Sequence, residues 1–191
     1  MATLDSLLSQ IDSGSMLLPE FQRGYVWNRD QVRGLLRSLY LGYPVGGLLV
    51  WETETTADDV RGTDEAVGNR TLLLDGQQRL TTLYGVVRGR PPKFFEGDKN
   101  TFLGLRFSVE DETFEFYSPA KMKGDPTWID VTKLFQEDGL KPFIDEFNDP
   151  KYKERFPEYL KRLSELSNIV KREFHLEKIV GKDKTTDVVV D

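Results

Sequence analysis

The sequence predicts a mixed α/β domain of the α+β kind, a small mixed sheet flanked by helices, with a helical carboxy-terminal subregion. Three observations lead there. An apolar run, Leu72-Leu73-Leu74, passes through Asp75-Gly76 straight into a helical pattern. Two segments rich in β-formers bracket Glu110-Asp111-Glu112. Amphipathic helical stripes recur at both ends of the chain.

In chain order, residues 3–11 carry Leu4, Leu7, Leu8 and Ile11 at helical spacing, and Asp12-Ser13-Gly14 ends that helix. Leu17-Leu18-Pro19 opens an extended segment that carries residues 20–27. Asn28 caps the next helix, Gln31 caps back, and Trp27 staples onto Val32. Its core stripe is Val32, Leu35, Leu36 and Leu39, and Gly42-Tyr43-Pro44 stops it. Residues 47–51 read as a short strand, followed by a solvated connector over 52–68 with six acids and one arginine. The helix after Gly76 places Leu80, Leu83, Tyr84 and Val87 on its packed face and leaves Gln78, Arg79, Thr82 and Arg88 wet. Gly89-Arg90-Pro91-Pro92 breaks it, and residues 103–109 and 113–117 form a hairpin.

From Trp128 the chain turns helical and lysine-rich. Residues 152–172 give a long stripe of Phe156, Tyr159, Leu160, Leu163, Leu166 and Val170, with Pro157 marking a candidate start. Residues 174–180 read as a strand, His175 being an ordinary member of it, and Thr185-Thr186-Asp187 as the cap of a further helix. Residues 1–120 form the expected core and 121–191 a mainly helical extension of the same domain.

Composition excludes several chemistries. The 191 residues include no cysteine and one histidine, which rules out disulfides, zinc-thiolate sites, a cysteine nucleophile and a histidine-rich metal centre. Nothing approaches a membrane span or a secretory leader, and a reducing cytoplasm suits the chain. The net charge of −6 argues against broad adhesion to nucleic acid. Residues 1–90 hold nine arginines and no lysine, whereas 91–191 hold thirteen lysines and four arginines. Arginine is the better residue for fixed bidentate anion contacts, which directs attention to the first half; compositional drift explains the same asymmetry.

The junction Leu74-Asp75-Gly76-Gln77-Gln78-Arg79 leaves the first backbone N–H groups of a helix aimed at one point beside its positive dipole end, an anion site whose natural occupant is phosphate. Asp75 stands at the expected N-cap, Gly76 lets backbone approach the ligand, and Arg79 can fold back over it. Composition leaves a second reading open, in which Asp75 only caps, Gly76 only turns and Arg79 is solvated. Neither Gly181-Lys182-Asp183-Lys184-Thr185 nor Asp149-Pro150-Lys151 offers a competing site; the first is a turn without phosphate-loop spacing, the second a helix-start loop.

Three motifs together, Pro19-x-Phe21-Gln22-Arg23-x-Tyr25-x-Trp27, Gly42-Tyr43-Pro44-Val45-Gly46 and Leu74-Asp75-Gly76-Gln77-Gln78-Arg79-Leu80-Thr81-Thr82-Leu83, resemble the amino-terminal domain of GmrSD-type restriction proteins, within the ParB/sulfiredoxin-like superfamily. The likeness is clearest over residues 4–90. It implies a ParB-like fold and a domain that binds, and hydrolyses, a nucleoside triphosphate with magnesium, regulating nuclease action on phage or modified DNA. Carried onto this chain, Gln22, Arg23, Gly76, Gln77, Gln78 and Arg79 bind the phosphates, Asp75, Gln78 and Arg79 are catalytic, and Asp75 orients water or holds magnesium. Tyr25 and Trp27 are core packing, although one of them can stack a base.

The family's Phe-x-Arg-x-Asn-x-x-Gly block and its histidine-metal nuclease domain do not occur in these 191 residues, so no nuclease activity is expected of this chain by itself. DNA and a nuclease domain or subunit are the partners implied for the longer protein. A DNA-recognition module without turnover, or an inert fragment, remains the alternative.

Overall fold

Thr3 hands its side-chain oxygen to the backbone of Ser6 and so starts the first helix, in a computed structural model that describes residues 1–19, 22–55, 68–136 and 139–180. Strand β1 (Ala2–Thr3) precedes that helix, α1 (Leu4–Asp12), whose Leu4, Leu7, Leu8 and Ile11 are all buried. Then follow β2 (Met16–Leu17), α2 (Arg29–Tyr40), β3 (Leu48–Thr55), β4 (Gly68–Asp75) and α3 (Gln77–Arg88). The rest comprises β5 (Leu105–Ser108), β6 (Thr113–Phe116), α4 (Pro119–Met122), β7 (Trp128–Asp130), α5 (Val131–Leu134), α6 (Lys141–Phe147), α7 (Phe156–Ser167), β8 (Glu173–Phe174) and β9 (Leu176–Val180). The architecture is the mixed α+β arrangement the sequence predicts. Among the described residues no helix is long and apolar enough to cross a membrane.

Asn28 and Gln31 form the expected reciprocal cap of α2: Asn28 Oδ1 accepts from Asp30 and Gln31, and the Asn28 N–H donates to Gln31 Oε1 at 2.9 Å. The predicted stripe of α2 is buried throughout. Asp149 likewise starts a 3-10 turn, Pro150–Tyr152, as a helix-start loop does.

The principal sheet has the order β2-β4-β3-β9. Strand β2 runs parallel to β4, β3 antiparallel to β4, and β9 parallel to β3. Helix α3 leaves this sheet and passes through the interior, which corrects the expectation of one wet face. Gln78 and Thr82 are buried along with Leu80 and Leu83, and every α3 residue from Leu80 to Val87 is buried. The polar pair tolerates burial because Thr82 Oγ1 lies 2.7 Å from the Tyr25 hydroxyl and donates to Gln78 O at 2.8 Å, while the Gln78 amide is held by the 24–27 segment.

The hairpin of β5 and β6 forms as read, but a third strand, β7, joins it where helical character was expected from Trp128 onward. Three residues are too few to show a period of two. The long pattern over 152–172 is likewise interrupted: α7 begins at Phe156 with Pro157 in its first turn and gives way to a 3-10 segment, Asn168–Lys171. Residues 174–180 divide between two sheets at His175, with β8 on β1 and β9 on β3. One hydrophobic cluster extends from Leu4 through Tyr84 and Phe107 to Leu163, Leu166 and Phe174. The expected turn at 181–185, the cap at 185–187 and most of the acidic connector lie outside the described residues.

Candidate functional site

At the C-terminal end of β4 the backbone turns through Gly76, at φ 92°, into α3. Gly76, not Asp75, is the N-cap, and no side chain caps the helix. That corrects the role expected of Asp75: one residue earlier, it is the last residue of β4, and its carboxylate is 73% exposed and accepts from Arg79 Nη2 at 3.1 Å. A left-handed N-cap suits glycine, and a Cβ here would also overlap Leu48 Cδ2, a buried residue of β3.

Arg79 is only 17% exposed on its side chain and spans two elements. Its Nη1 donates to Val45 O at 2.7 Å, and its Nη2 pairs with Asp75. The guanidinium therefore does fold back toward the junction, and it also ties down the turn that precedes β3. Val45 was named in the sequence motifs without a role; its carbonyl is invisible to a reading of side chains.

The three glutamines are committed to the frame. Gln22 Nε2 donates to Leu74 O at 2.9 Å, and Gln77 Nε2 to Arg23 O at 2.7 Å. Gln78 Nε2 donates to Gly24 O at 3.1 Å, while its Oε1 accepts from Val26 N at 2.9 Å and Trp27 N at 3.3 Å. The residue 22–27 segment is thus laced to the junction by four side-chain donors and acceptors that are absorbed by backbone. Arg23 is exposed, and its carbonyl is held by Gln77.

Together these residues enclose a hollow of about 230 Å³, lined by Gln22, Arg23, Trp27, Asp75, Gly76 and Arg79 among others. All seven residues expected at the site meet there. Trp27, half-buried against the core, also faces the hollow, so the packing role and the site role coincide in it. Tyr25 lies deeper; burial pushes its hydroxyl above the usual range, with the Thr82 hydrogen bond pulling the other way. Among the described residues no group of three or more His, Asp or Glu gathers as a metal centre. Chemically the arrangement presents two guanidinium groups, an uncapped helix start and a single open carboxylate, a set suited to an anion with several oxygens.

The family described as "GmrSD restriction endonuclease, N-terminal domain" matches residues 4–188. A protein of Methanocaldococcus jannaschii, named only as uncharacterized protein MJ0686, is 33% identical over 123 residues, which cover 56% of this chain and 20% of that protein. The chain therefore spans about a fifth of that relative's length.

Proposed function

From the fact that this chain belongs to the GmrSD restriction endonuclease N-terminal domain family, we propose that the β4–α3 junction receives the phosphates of a nucleoside triphosphate, and that its hydrolysis there regulates a longer restriction or antiphage defence protein. One observation carries the reading. Helix α3 starts at a glycine with no side-chain cap and opens onto a hollow edged by Arg23, Arg79 and the exposed Asp75.

Phosphoryl transfer asks mainly for placement and charge neutralisation. The backbone N–H groups of the first α3 turn and the two arginines bind phosphate oxygens, and Gly76 keeps that approach clear of a Cβ. Gln22, Gln77 and Gln78 act through the backbone they hold, fixing the 22–27 segment against the helix start. A lone open carboxylate fits magnesium, which commonly takes one or two protein carboxylates and completes its shell with water and phosphate oxygens; bound beside Asp75 it would neutralise charge on the transferred group. DNA and a nuclease domain or subunit are the partners of the longer protein in this reading.

Calorimetric titration of the four nucleoside triphosphates with magnesium tests it. Arg23→Ala and Arg79→Ala are each expected to weaken binding by about ten-fold or more, the loss of a charge-assisted hydrogen bond. Wild-type affinity in both variants would overturn the assignment. Absence of triphosphate binding together with duplex binding that falls steeply with salt would replace it by a DNA-recognition module.

A further inference from the structure

At one edge of the principal sheet β4 ends where β3 and β9 begin, side by side. Leu49 of β3 pairs with Asp75 on one side and Glu177 on the other, so the row from the phosphate hollow to the start of β9 is two strand spacings, about 10 Å. His175, just before β9, gives its carbonyl to Leu48 N at 2.9 Å. Beyond it opens a second hollow, of about 530 Å³, between the 42–47 turn and residues 172–175. That volume falls in the range of small-molecule sites.

The Arg79 side chain and the Val45–Gly46 turn, in contact with each other, stand between the two hollows. Arg79 lines the first hollow and donates to Val45, which lines the second. Gly46, at φ 84°, lets the turn pass so close that a Cβ there would stand 2.7 Å from Arg79 Nη1. The second hollow offers a flat ring surface and edge donors. Tyr43 is 61% exposed, although it is a large aromatic residue, and neither its hydroxyl nor the Arg172 guanidinium has a hydrogen bond or ion pair among the described residues. His175 is exposed at the rim, and Leu39, Pro44 and Phe174 supply apolar floor.

We propose that this second hollow takes the nucleobase and ribose of the same triphosphate, with Tyr43 as the stacking platform and Arg172 and His175 meeting the polar edge. The inference rests on the phosphate reading of the β4–α3 junction. It follows from direction: a ligand whose phosphates sit at Gly76 and Arg79 and whose remaining length runs along the sheet end toward β9 reaches Tyr43 and Arg172 next. A base face on an aromatic ring and guanidinium donors on a base edge are a sequence-tolerant and a selective contact respectively.

The experiment compares inorganic tripolyphosphate with the nucleoside triphosphates, with magnesium, on wild type, Tyr43→Ala and Arg172→Ala. Both positions are exposed, and unchanged thermal midpoints establish that the variants fold. The expected result is that tripolyphosphate binds all three proteins equally, whereas Tyr43→Ala lowers affinity for the best nucleotide by about five-fold or more. Arg172→Ala lowers it as well and narrows the differences among the four bases. Equal tripolyphosphate binding with unchanged nucleotide affinity in both variants would overturn this inference alone. Failure of tripolyphosphate and nucleotides alike to bind wild type would overturn the phosphate reading, and this one with it.

Discussion

Leu48 Cδ2 occupies the space that a Cβ would need at Gly76. Strand β3 therefore packs on the one residue that lets β4 turn into α3, and the left-handed backbone of Gly76, at φ 92°, forbids a side chain a second time. Gly76→Ala is expected to cost about 1–2 kcal/mol in backbone strain and about 1–3 kcal/mol in overpacking. Chemical denaturation reads the sum. A loss below about 1 kcal/mol would mean that the junction relaxes easily and is not a fixed receptor.

Gln78 is the residue whose role changes most between sequence and structure. Its amide spends both ends on the 24–27 backbone, so Gln78→Ala orphans Gly24 O and the N–H groups of Val26 and Trp27. The expected cost is about 2–4 kcal/mol, from three unsatisfied partners. Gln78→Glu keeps the acceptor and loses the donor, and is expected to fall between alanine and wild type. A group acting on the substrate alone would give the opposite result, a lost turnover with an unchanged denaturation midpoint, and that outcome would restore Gln78 to direct catalysis.

What was legible followed from how far each signal reaches along the chain. The Asn28 and Gln31 cap was readable because both partners sit within one turn, and the buried stripes of α1 and α2 because they repeat. The junction itself was readable as strand, turn and helix, down to the arginine that folds back. Its cap was misplaced by one residue because the left-handed geometry of Gly76 replaces the side-chain acceptor Asp75 was expected to supply. The burial of Gln78 and Thr82 was not readable, since their partners Gly24, Val26 and Tyr25 lie more than fifty positions away. Strands β1, β7 and β8 are two or three residues long and carry no period.

Arg162 of α7 reaches across to the β5–β6 hairpin. Its Nη1 donates to Val109 O at 2.6 Å and Glu110 O at 2.9 Å, and its Nη2 pairs with Glu112 at 3.0 Å and Glu158 at 2.6 Å. Helix α7 is thereby bound to the hairpin, and one hydrophobic cluster continues from there to the residues of the principal sheet. Arg162→Ala is expected to destabilise by about 1.5–3 kcal/mol and to move one cooperative transition to lower denaturant. Circular dichroism and tryptophan fluorescence, followed together, check this. Two separated transitions in the wild type would show that the helical extension folds as its own unit.

The far end of α3 is anchored by Asp12, which accepts from the Tyr84 hydroxyl at 2.7 Å, Arg88 Nε at 2.8 Å and Arg90 Nη2 at 3.0 Å. Burial works to raise the Asp12 pKa, but the Tyr84 and Arg88 hydrogen bonds and the charges of Arg88 and Arg90 outweigh it and hold the carboxyl below its usual 3.8. A pKa depressed on folding gives stability that is complete above the unfolded value and is lost as pH falls through the folded one, so this contribution fades below pH 3.8. Across the same bond Tyr84 is pushed from 10.0 up to about 12, by burial first and then by the Asp12 hydrogen bond and charge. Its share is whole below pH 10.0 and is lost between there and about 12. Tyr25, Tyr40 and Tyr159 are pushed up as well, so the informative quantity is the difference between wild type and Tyr84→Phe. The variant is expected to lose about 1 kcal/mol at neutral pH and to show a shallower alkaline arm, with one fewer late-titrating phenolate in its ultraviolet spectrum. Superimposable alkaline arms would show that the Tyr84 hydroxyl does not brace the helix through Asp12.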